Sequence, residues 1–229
     1  MWVHAKKFVF LGAGTLGTTE ILLRSKQLGL PMSNAVGTRM SCNGDMFAFG
    51  YNADVEVNAM ARKHPDPARP VGPTITGVID CRDQENVLDG FVFQEGVVPR
   101  ALVPGIQAML ESTPGKIYPS NGSGYQQFIR RMLSKIFGPY YFGGSVQRTQ
   151  VYLIMSHDSN QANLVLNENG KPLMRWRGVG RSQHVSYLTN VMAKATDKIG
   201  GTFVNNPFFA ALGEQQVSRM AGINLLIES

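Results

Sequence analysis

A short apolar run followed by three closely spaced glycines constrains this chain more than any other feature. The run is Phe8–Leu11, and Gly12, Gly14 and Gly17 come directly after it. A continuous apolar run of this kind is typical of a strand buried on both faces. An amphipathic stretch follows through Ser25, so the sequence predicts a strand, a glycine turn and a helix in succession. Such a turn suits a phosphate or a ribose, because glycines let the backbone approach closely and a helix N-terminus presents free N–H donors.

The predicted helix has candidate residues for its first turn, and its glycines match a known pattern. Thr18 or Thr19 can accept a hydrogen bond from an unpaired N–H, and Glu20 suits the positive helix end. Gly12–Gly17 fits the dinucleotide pattern GxGxxG. The full signature needs a second parallel strand and an acidic residue about 20 positions further on, whereas a loop begins at Gly29. Three interpretations stay open: an independent NAD-binding Rossmann domain, a tight turn without a ligand, and one glycine segment of a larger cofactor-binding fold.

The rest of the chain predicts a mainly antiparallel sheet with helices. Strands are expected within residues 45–56, 71–82, 90–98, 151–156 and 202–204, and a hairpin is expected around Asn169 and Gly170. The connection between 71–82 and 90–98 is short, so these two strands should pair antiparallel. Helices are expected within 101–110, where Pro104 and Gly105 should interrupt the helix, and over 125–137 and 182–199, the last with Ser182 as its cap. The predicted fold class is therefore α/β (α+β): part of a cofactor-binding βα unit joined to a mainly antiparallel sheet.

Composition and charge argue against several classes of function. The formal net charge of +6 is spread along the chain, and only Arg130, Arg131 and Lys135 lie together, without a stacking motif, so no nucleic-acid binding is expected. Cys42 and Cys81 are too few for a disulfide framework and their spacing offers no metal site, so no metal is expected. No apolar run is long enough to span a bilayer and the first residues do not resemble a signal peptide, so we expect a cytoplasmic protein.

One predicted strand places a carboxylate among apolar side chains. Alternate side chains of a strand share a face, so Glu95 should point in the same direction as Phe91, Phe93 and Val97. A charged carboxylate is costly in such surroundings, so we expect its pKa to be raised, which suits proton transfer. The alternative is that Glu95 lies at the strand end and reaches water or an arginine such as Arg100.

The histidines are weaker candidates. Ser156, His157 and Asp158 are residue types of a catalytic triad, but they are consecutive, whereas a triad converges from separate positions. His64 lies in a proline-rich connection and His184 on the last predicted helix. Structural roles are the expectation for all of them.

With these residues in view, the chain resembles the glucose–methanol–choline family of flavoprotein oxidoreductases, in its cholesterol-oxidase-like branch. The resemblance rests on FVFLGAGTLGTTEILLRSK near the start, on SCNGDMFAFGYN at Ser41–Asn52, and on VGPTITGVID and FVFQEGVVP in the middle. It continues through VYLIMSHD, LVLNENGKPLMRW and GGTFVNNPF, and ends at about Val217. The first three motifs together are fairly specific, whereas none of them would be so alone.

This resemblance implies oxidation of a secondary alcohol, of sterol type, with FAD as cofactor, and isomerisation of a steroid double bond in the same branch. It implies that Glu95 is the glutamate that moves a proton during isomerisation and that Phe93 is the aromatic gate beside it. It also implies that Gly12, Ala13, Gly14 and Thr15 lie beside the FAD. Asn43 and Gly44 would lie near both the flavin and the substrate cavity, and Asn43 would also contact the substrate.

The resemblance further implies a division into domains. Residues 1–45 would be a partial FAD-binding segment, 46–217 a substrate-binding domain with a covering region at 99–144, and 218–229 a divergent tail. The basic helix predicted at 125–137 lies in the covering region, and we expect it to contact a membrane surface while the enzyme collects an apolar substrate.

Two departures from the family pattern limit what the chain is expected to do. No GxGxxG strand–helix unit precedes Phe8, although the family has its main FAD phosphate site there. The similarity stops at Gln215–Val217, where the family's HPLGG motif should begin, and no histidine lies beyond His184. We therefore expect the chain to correspond to the middle of such an enzyme, with doubtful FAD binding and weak or no oxidase activity. The alternative is a non-catalytic truncated product or an interaction fragment.

Overall fold

The fold is described from a computed structural model for residues 4–64, 67–68, 74–121, 124–176 and 182–205, together with the backbone of 226–228. The described residues form two compact units. The smaller unit contains residues 4–42, 159–176 and 226–228, and the larger unit contains the described residues of 43–158 and 182–205. Helices and mainly antiparallel strands are mixed along the chain, so the predicted α+β class is confirmed.

The described residues contain four α-helices and eight strands. The helices are α1 (Gly14–Gln27), α2 (Val103–Ser112), α3 (Gly124–Phe137) and α4 (Gln183–Lys198). The strands are β1 (Met46–Tyr51), β2 (Val78–Cys81), β3 (Phe91–Glu95), β4 (Gln150–Ser156), β5 (Asn163–Leu166), β6 (Pro172–Arg175), β7 (Thr202–Val204) and β8 (Leu226–Glu228). Among the described helices, none combines the length and the apolar composition needed to cross a membrane.

The larger unit is built on a five-stranded antiparallel sheet with the strand order β2-β3-β4-β1-β7. Alternate side chains of β1 point to opposite faces of this sheet. Phe49 belongs to a hydrophobic cluster with Leu110 of α2, whereas Ala48 belongs to a second cluster with Leu188 and Met192 of α4. Burial of a side chain the size of Phe49 or Leu188 stabilises the fold by about 1.5–3 kcal/mol. The sheet is therefore held between α2 on one face and α4 on the other.

The smaller unit combines α1 with a short sheet. β6 pairs antiparallel with β5 and parallel with β8, and α1 lies against β5. The turn between β5 and β6 contains Gly170 at a φ of +68°, and the side-chain oxygen of Asn167 accepts hydrogen bonds from the N–H groups of Asn169 and Lys171. The predicted hairpin is confirmed.

The predicted cap of α4, the predicted pairing of β2 with β3 and three further predicted strands are also confirmed. Ser182 is the N-cap of α4, and its Oγ accepts a hydrogen bond of 3.2 Å from the N–H of Val185. β2 and β3 pair antiparallel as predicted, with Ile79 opposite Phe93. The strands expected within 45–56, 151–156 and 202–204 are β1, β4 and β7.

The strand predicted at Phe8–Leu11 is wrong. These residues form no regular structure, and the exposed fractions of Phe8 and Phe10 are 77% and 92%. An apolar run becomes a buried strand only where neighbouring strands satisfy its backbone hydrogen bonds. No strand of the described chain pairs with this run.

The helix predicted after the glycines is confirmed, but its start differs. α1 begins at Gly14 with Ala13 as N-cap, and no side chain caps it. Thr18 and Thr19 therefore lie inside the helix, where the hydroxyl of Thr19 donates to the carbonyl of Thr15, 2.7 Å away. The predicted capping role of Thr18 or Thr19 is wrong because the N-cap is Ala13, five residues before Thr18.

Two smaller predictions also change. Glu20 lies beyond the first turn of α1 and pairs with Arg24 one turn later, at 2.5 Å. Pro104 does not interrupt α2, because it lies in the first turn, where its missing N–H is not needed. The tail predicted at 218–229 lies outside the described residues apart from β8, and so do residues 71–73 of the strand predicted at 71–82.

Candidate functional site

Glu95 lies at the end of β3, on the face of the sheet that α4 covers. The register places Glu95 opposite Tyr152 of β4, and Phe93 opposite Ile154. Opposite side chains of an antiparallel pair share a face, and Tyr152 and Ile154 belong to the hydrophobic cluster that contains residues of α4. The ring centroids of Phe93 and Tyr152 lie 5.1 Å apart. Glu95 therefore has aromatic neighbours on its own side of the sheet.

The residues just before β2 hold the carboxyl group of Glu95. Its Oε1 accepts hydrogen bonds from the N–H groups of Thr76, at 2.9 Å, and Gly77, at 3.1 Å, and from the hydroxyl of Thr76. All hydrogen bonds that the described residues make with this side chain reach Oε1, and none reaches Oε2. One oxygen of the carboxyl group is fixed, and the other can accept a ligand or a proton.

The backbone before these donors is strained. Ile75 has a φ of +62°, in the left-handed region that a β-branched residue rarely adopts. Such a conformation costs about 1–3 kcal/mol and is found most often at functional sites. The next two residues, Thr76 and Gly77, both direct their N–H groups at Glu95. The strained residue Ile75 therefore lies next to the two residues that hold the carboxyl group of Glu95.

Arg100 is not the partner of Glu95. Its Nη1 donates to the carbonyl of Lys63, 3.2 Å away, and none of the ion pairs of the described residues includes Glu95. The side chain is half-buried, so solvent reaches it. The alternative prediction was that Glu95 reaches water or an arginine such as Arg100. The pairing with Arg100 is wrong, whereas contact with water is compatible with this geometry.

Asn43 and Gly44 lie at the other end of the same sheet. Their φ angles are 58° and 55°, and they form the turn that leads into β1. The N–H of Ser156 donates to the carbonyl of Asn43 at 2.8 Å, and the hydroxyl of Ser156 donates to the carbonyl of Gly44 at 3.1 Å. Tyr152, which faces Glu95, precedes Ser156 on β4 by about 13 Å of strand. The structure therefore does not bring Asn43 and Gly44 together with Glu95.

The glycine at position 44 is required by the packing of the protein itself. A Cβ there would lie 2.6 Å from the Oγ of Ser156 and 2.9 Å from the carbonyl oxygen of His157. The space beside Gly44 is therefore filled by the end of β4, and this residue does not provide an open approach for a flavin.

A group of titratable residues also lies at this end of the sheet. Burial raises the pKa of Asp45, and the nearby carboxylate of Asp158 raises it further. Burial lowers the pKa of His184, Asp89 opposes that shift, and His157 adds to it. These residues come from four separate segments, so no local sequence signal connects them.

The same group contains buried polar atoms that lack a partner. Within the described residues, Oδ1 of Asp45 and Nε2 of His184 have no hydrogen-bond partner. A carboxyl group beside a second carboxylate tends to keep its proton. No set of three or more acidic, histidine or cysteine side chains among the described residues has the arrangement of a metal site.

The residues predicted to contact FAD near the start of the chain form the exposed beginning of α1. A Cβ at Gly12 or Gly14 would have no atom within 4 Å, so the backbone is open there. The first turn of α1 has no acidic residue, and Ala13, its N-cap, offers no side-chain acceptor to the first N–H groups. These features of Gly12, Ala13, Gly14 and Thr15 fit a phosphate group, although no strand leads into them.

Comparison with protein-family models finds no match for this chain, and comparison with curated proteins finds no significant match. The resemblance to flavoprotein oxidoreductases therefore stays a hypothesis that rests on the motifs themselves.

Proposed function

We propose that this chain is part of an FAD-dependent oxidoreductase that oxidises an apolar secondary alcohol of sterol type, with weak or no oxidase activity of its own, and that Glu95 moves a proton on the steroid. One observation carries the proposal. Donors from Thr76 and Gly77 fix Oε1 of Glu95, whereas Oε2 has no partner among the described residues and the ring of Phe93 lies on the same face. A carboxyl group with one fixed and one available oxygen can act as both base and acid.

The proton transfer needs no co-reactant. Oε2 of Glu95 takes the proton from the carbon between the carbonyl group and the double bond of a steroid ketone, and the bond electrons form an enolate. The resulting carboxylic acid returns the proton to the far carbon of the double bond, which moves into conjugation. The hydrogen bonds to Oε1 keep the carboxyl group in one orientation through both steps. The half-buried ring of Phe93, which packs on Tyr152, provides an apolar surface for the substrate.

FAD, when bound, supplies the oxidation itself by accepting a hydride from the alcohol carbon. Residues Gly12, Ala13, Gly14 and Thr15 would hold a phosphate of the cofactor, because their backbone is open and α1 presents N–H groups there. Gly44 does not fit a contact with the cofactor, since Ser156 and His157 fill the space beside it.

Two assays test this proposal. In the first, the protein is mixed with a steroid ketone whose double bond is not conjugated, and the ultraviolet absorbance of the conjugated enone is followed. In the second, the protein is mixed with FAD and a sterol in air, and hydrogen peroxide is measured. Enone formation is the expected result and supports the role of Glu95 without requiring FAD. Little or no peroxide is expected, and strong peroxide formation would show that this chain carries out the oxidation by itself. If neither product exceeds the protein-free controls, the proposal is overturned.

A further inference from the structure

Helix α3 is attached to the larger unit by its polar side. Its buried side chains are Gln127 and Ser134. The amide of Gln127 donates to the carbonyl of Gly200, 2.7 Å away. The hydroxyl of Ser134 accepts a hydrogen bond of 3.1 Å from the hydroxyl of Ser145. These contacts fix which side of α3 faces the sheet.

Arg130 belongs to the same attachment. Its Nη1 donates to the carbonyl of Ala53 at 2.8 Å, and its Nη2 pairs with Asp54 at 2.8 Å. Only 12% of the side chain is exposed. Arg130 therefore anchors α3 and is not a free surface charge.

The apolar side of α3 faces solvent. Tyr125, Phe128, Ile129, Met132 and Ile136 follow the spacing i, i+3, i+4, i+7, i+11, so they form one row, which we call the apolar stripe. All five are exposed, Ile136 by 66% of its surface. A contiguous exposed apolar surface of this kind marks an interaction site.

Three more aromatic residues lie at the end of α3 and in the segment that follows it. Phe137, Tyr141 and Phe142 are all exposed, and the rings of Phe137 and Tyr141 lie 4.9 Å apart. Of these three, Tyr141 combines an aromatic ring with a polar tip, which is favoured where an apolar phase meets water.

The charges beside the apolar stripe indicate what it binds. α3 contains three cations and no Asp or Glu. Arg130 is paired with Asp54, whereas the partly exposed Arg131 and the exposed Lys135 form no ion pair with the described residues. A helix with an apolar face, nearby cations and low overall hydrophobicity binds in the plane of an anionic lipid surface. We infer that the apolar stripe of α3 docks on the surface of an anionic membrane.

A second copy of the chain is a poorer occupant. A symmetric dimer through the apolar stripe would bring Arg131 and Lys135 of both copies towards each other, and like charges across an interface oppose association. The inference concerns a surface of the larger unit and does not depend on the chemistry proposed for Glu95.

The test is flotation of the full chain with vesicles of phosphatidylcholine and phosphatidylserine in a three-to-one ratio. We expect the protein to float with these vesicles and to float less with phosphatidylcholine alone. Phe128→Glu combined with Ile136→Glu should lower the partition coefficient more than about tenfold, because two apolar side chains no longer enter the lipid. Arg131→Gln and Lys135→Gln, which each remove one cation, should each lower it about fivefold.

The matched control is Val87→Glu combined with Leu88→Glu, which places the same two charges on other exposed apolar residues of the larger unit. It should float like the wild type. Equal flotation of the stripe variant and the control would overturn the inference, and so would a wild type that does not float. A dimer in gel filtration that Ile136→Glu dissociates, without vesicle binding, would assign the stripe to a second copy instead. If circular dichroism shows that the glutamate pair unfolds the protein, Phe128→Ser with Ile136→Ser takes its place.

Discussion

The backbone N–H of Thr76 donates a hydrogen bond of 2.9 Å to Oε1 of Glu95. The two residues lie 19 positions apart in the sequence. They meet because β2 and β3 pair antiparallel, so the end of β3 lies beside the start of β2. This contact turns a strand-end carboxylate into a group with a defined orientation.

The hydroxyl of Thr76 should matter for the proton transfer. Thr76→Val removes this donor and keeps the backbone N–H and the shape of the side chain. We expect kcat for steroid-ketone conversion to fall about tenfold with KM nearly unchanged, because a hydrogen bond to a charged group is worth about 1.5–3 kcal/mol. Thr74→Val, two residues earlier and exposed, should keep the wild-type rate. Equal kcat values for the two variants would contradict a positioning role for Thr76.

The core between the sheet and α4 should dominate the stability of the larger unit. Ile154 is fully buried on β4, between Met46 of β1 and Phe93 of β3. Ile154→Ala should lower the free energy of unfolding by about 2–5 kcal/mol, because it leaves a cavity in a packed layer. Urea denaturation measures this change. Met155→Ala, at a neighbouring exposed position, should cost less than about 0.5 kcal/mol; a comparable cost at both positions would argue against this core.

The stability of the protein should depend on pH through Asp45. Its pKa is raised above 3.8 in the folded protein by burial and by Asp158, so the folded state binds more protons than the unfolded state between 3.8 and the raised value. Stability from this group is therefore present below 3.8 and is lost as pH rises through the raised pKa. Asp45→Asn should gain stability relative to the wild type as pH increases from 3.5 to 7, in urea titrations at each pH.

The control for this prediction is Asp83→Asn, which removes a carboxylate from an exposed position. Its stability difference from the wild type should change little over the same pH range. A difference between Asp45→Asn and the wild type that stays constant with pH would show that Asp45 has no raised pKa.

Local signals were sufficient to predict several elements. The cap at Ser182, the turn at Gly170 and the periodicity of α3 each act within a few residues, and each element formed as predicted. The apolar run Phe8–Leu11 carries an equally clear local signal but forms no strand. Whether such a run is buried depends on strands elsewhere, which its own residues do not specify.

The surroundings of Glu95 could be predicted only in part. Alternation along β3 correctly placed Glu95 on the face of Phe93, but Thr76 and Gly77 reach it through the β2–β3 register and the left-handed conformation of Ile75. Neither feature has a local signal. The proximity of Asp45 and Asp158 was missed for the same reason, because the pairing of β1 with β4 creates it.

The sequence also did not predict which side of α3 faces the sheet. Periodicity identifies an apolar and a polar side, but it does not say which side faces the protein. The polar side is buried here because Gln127 and Arg130 find partners 73 and 77 positions away in the sequence, and Ser134 accepts a hydrogen bond from Ser145.

The most direct test of the proposed function compares Glu95→Gln with the wild type in the conversion of a non-conjugated steroid ketone to its enone. The glutamine keeps the size of the side chain but cannot take up and return the proton, so the rate should fall about a hundredfold or more. Glu168→Gln, at an exposed position in the β5–β6 turn, should keep the wild-type rate. Conversion by Glu95→Gln at the wild-type rate would contradict the role proposed for Glu95.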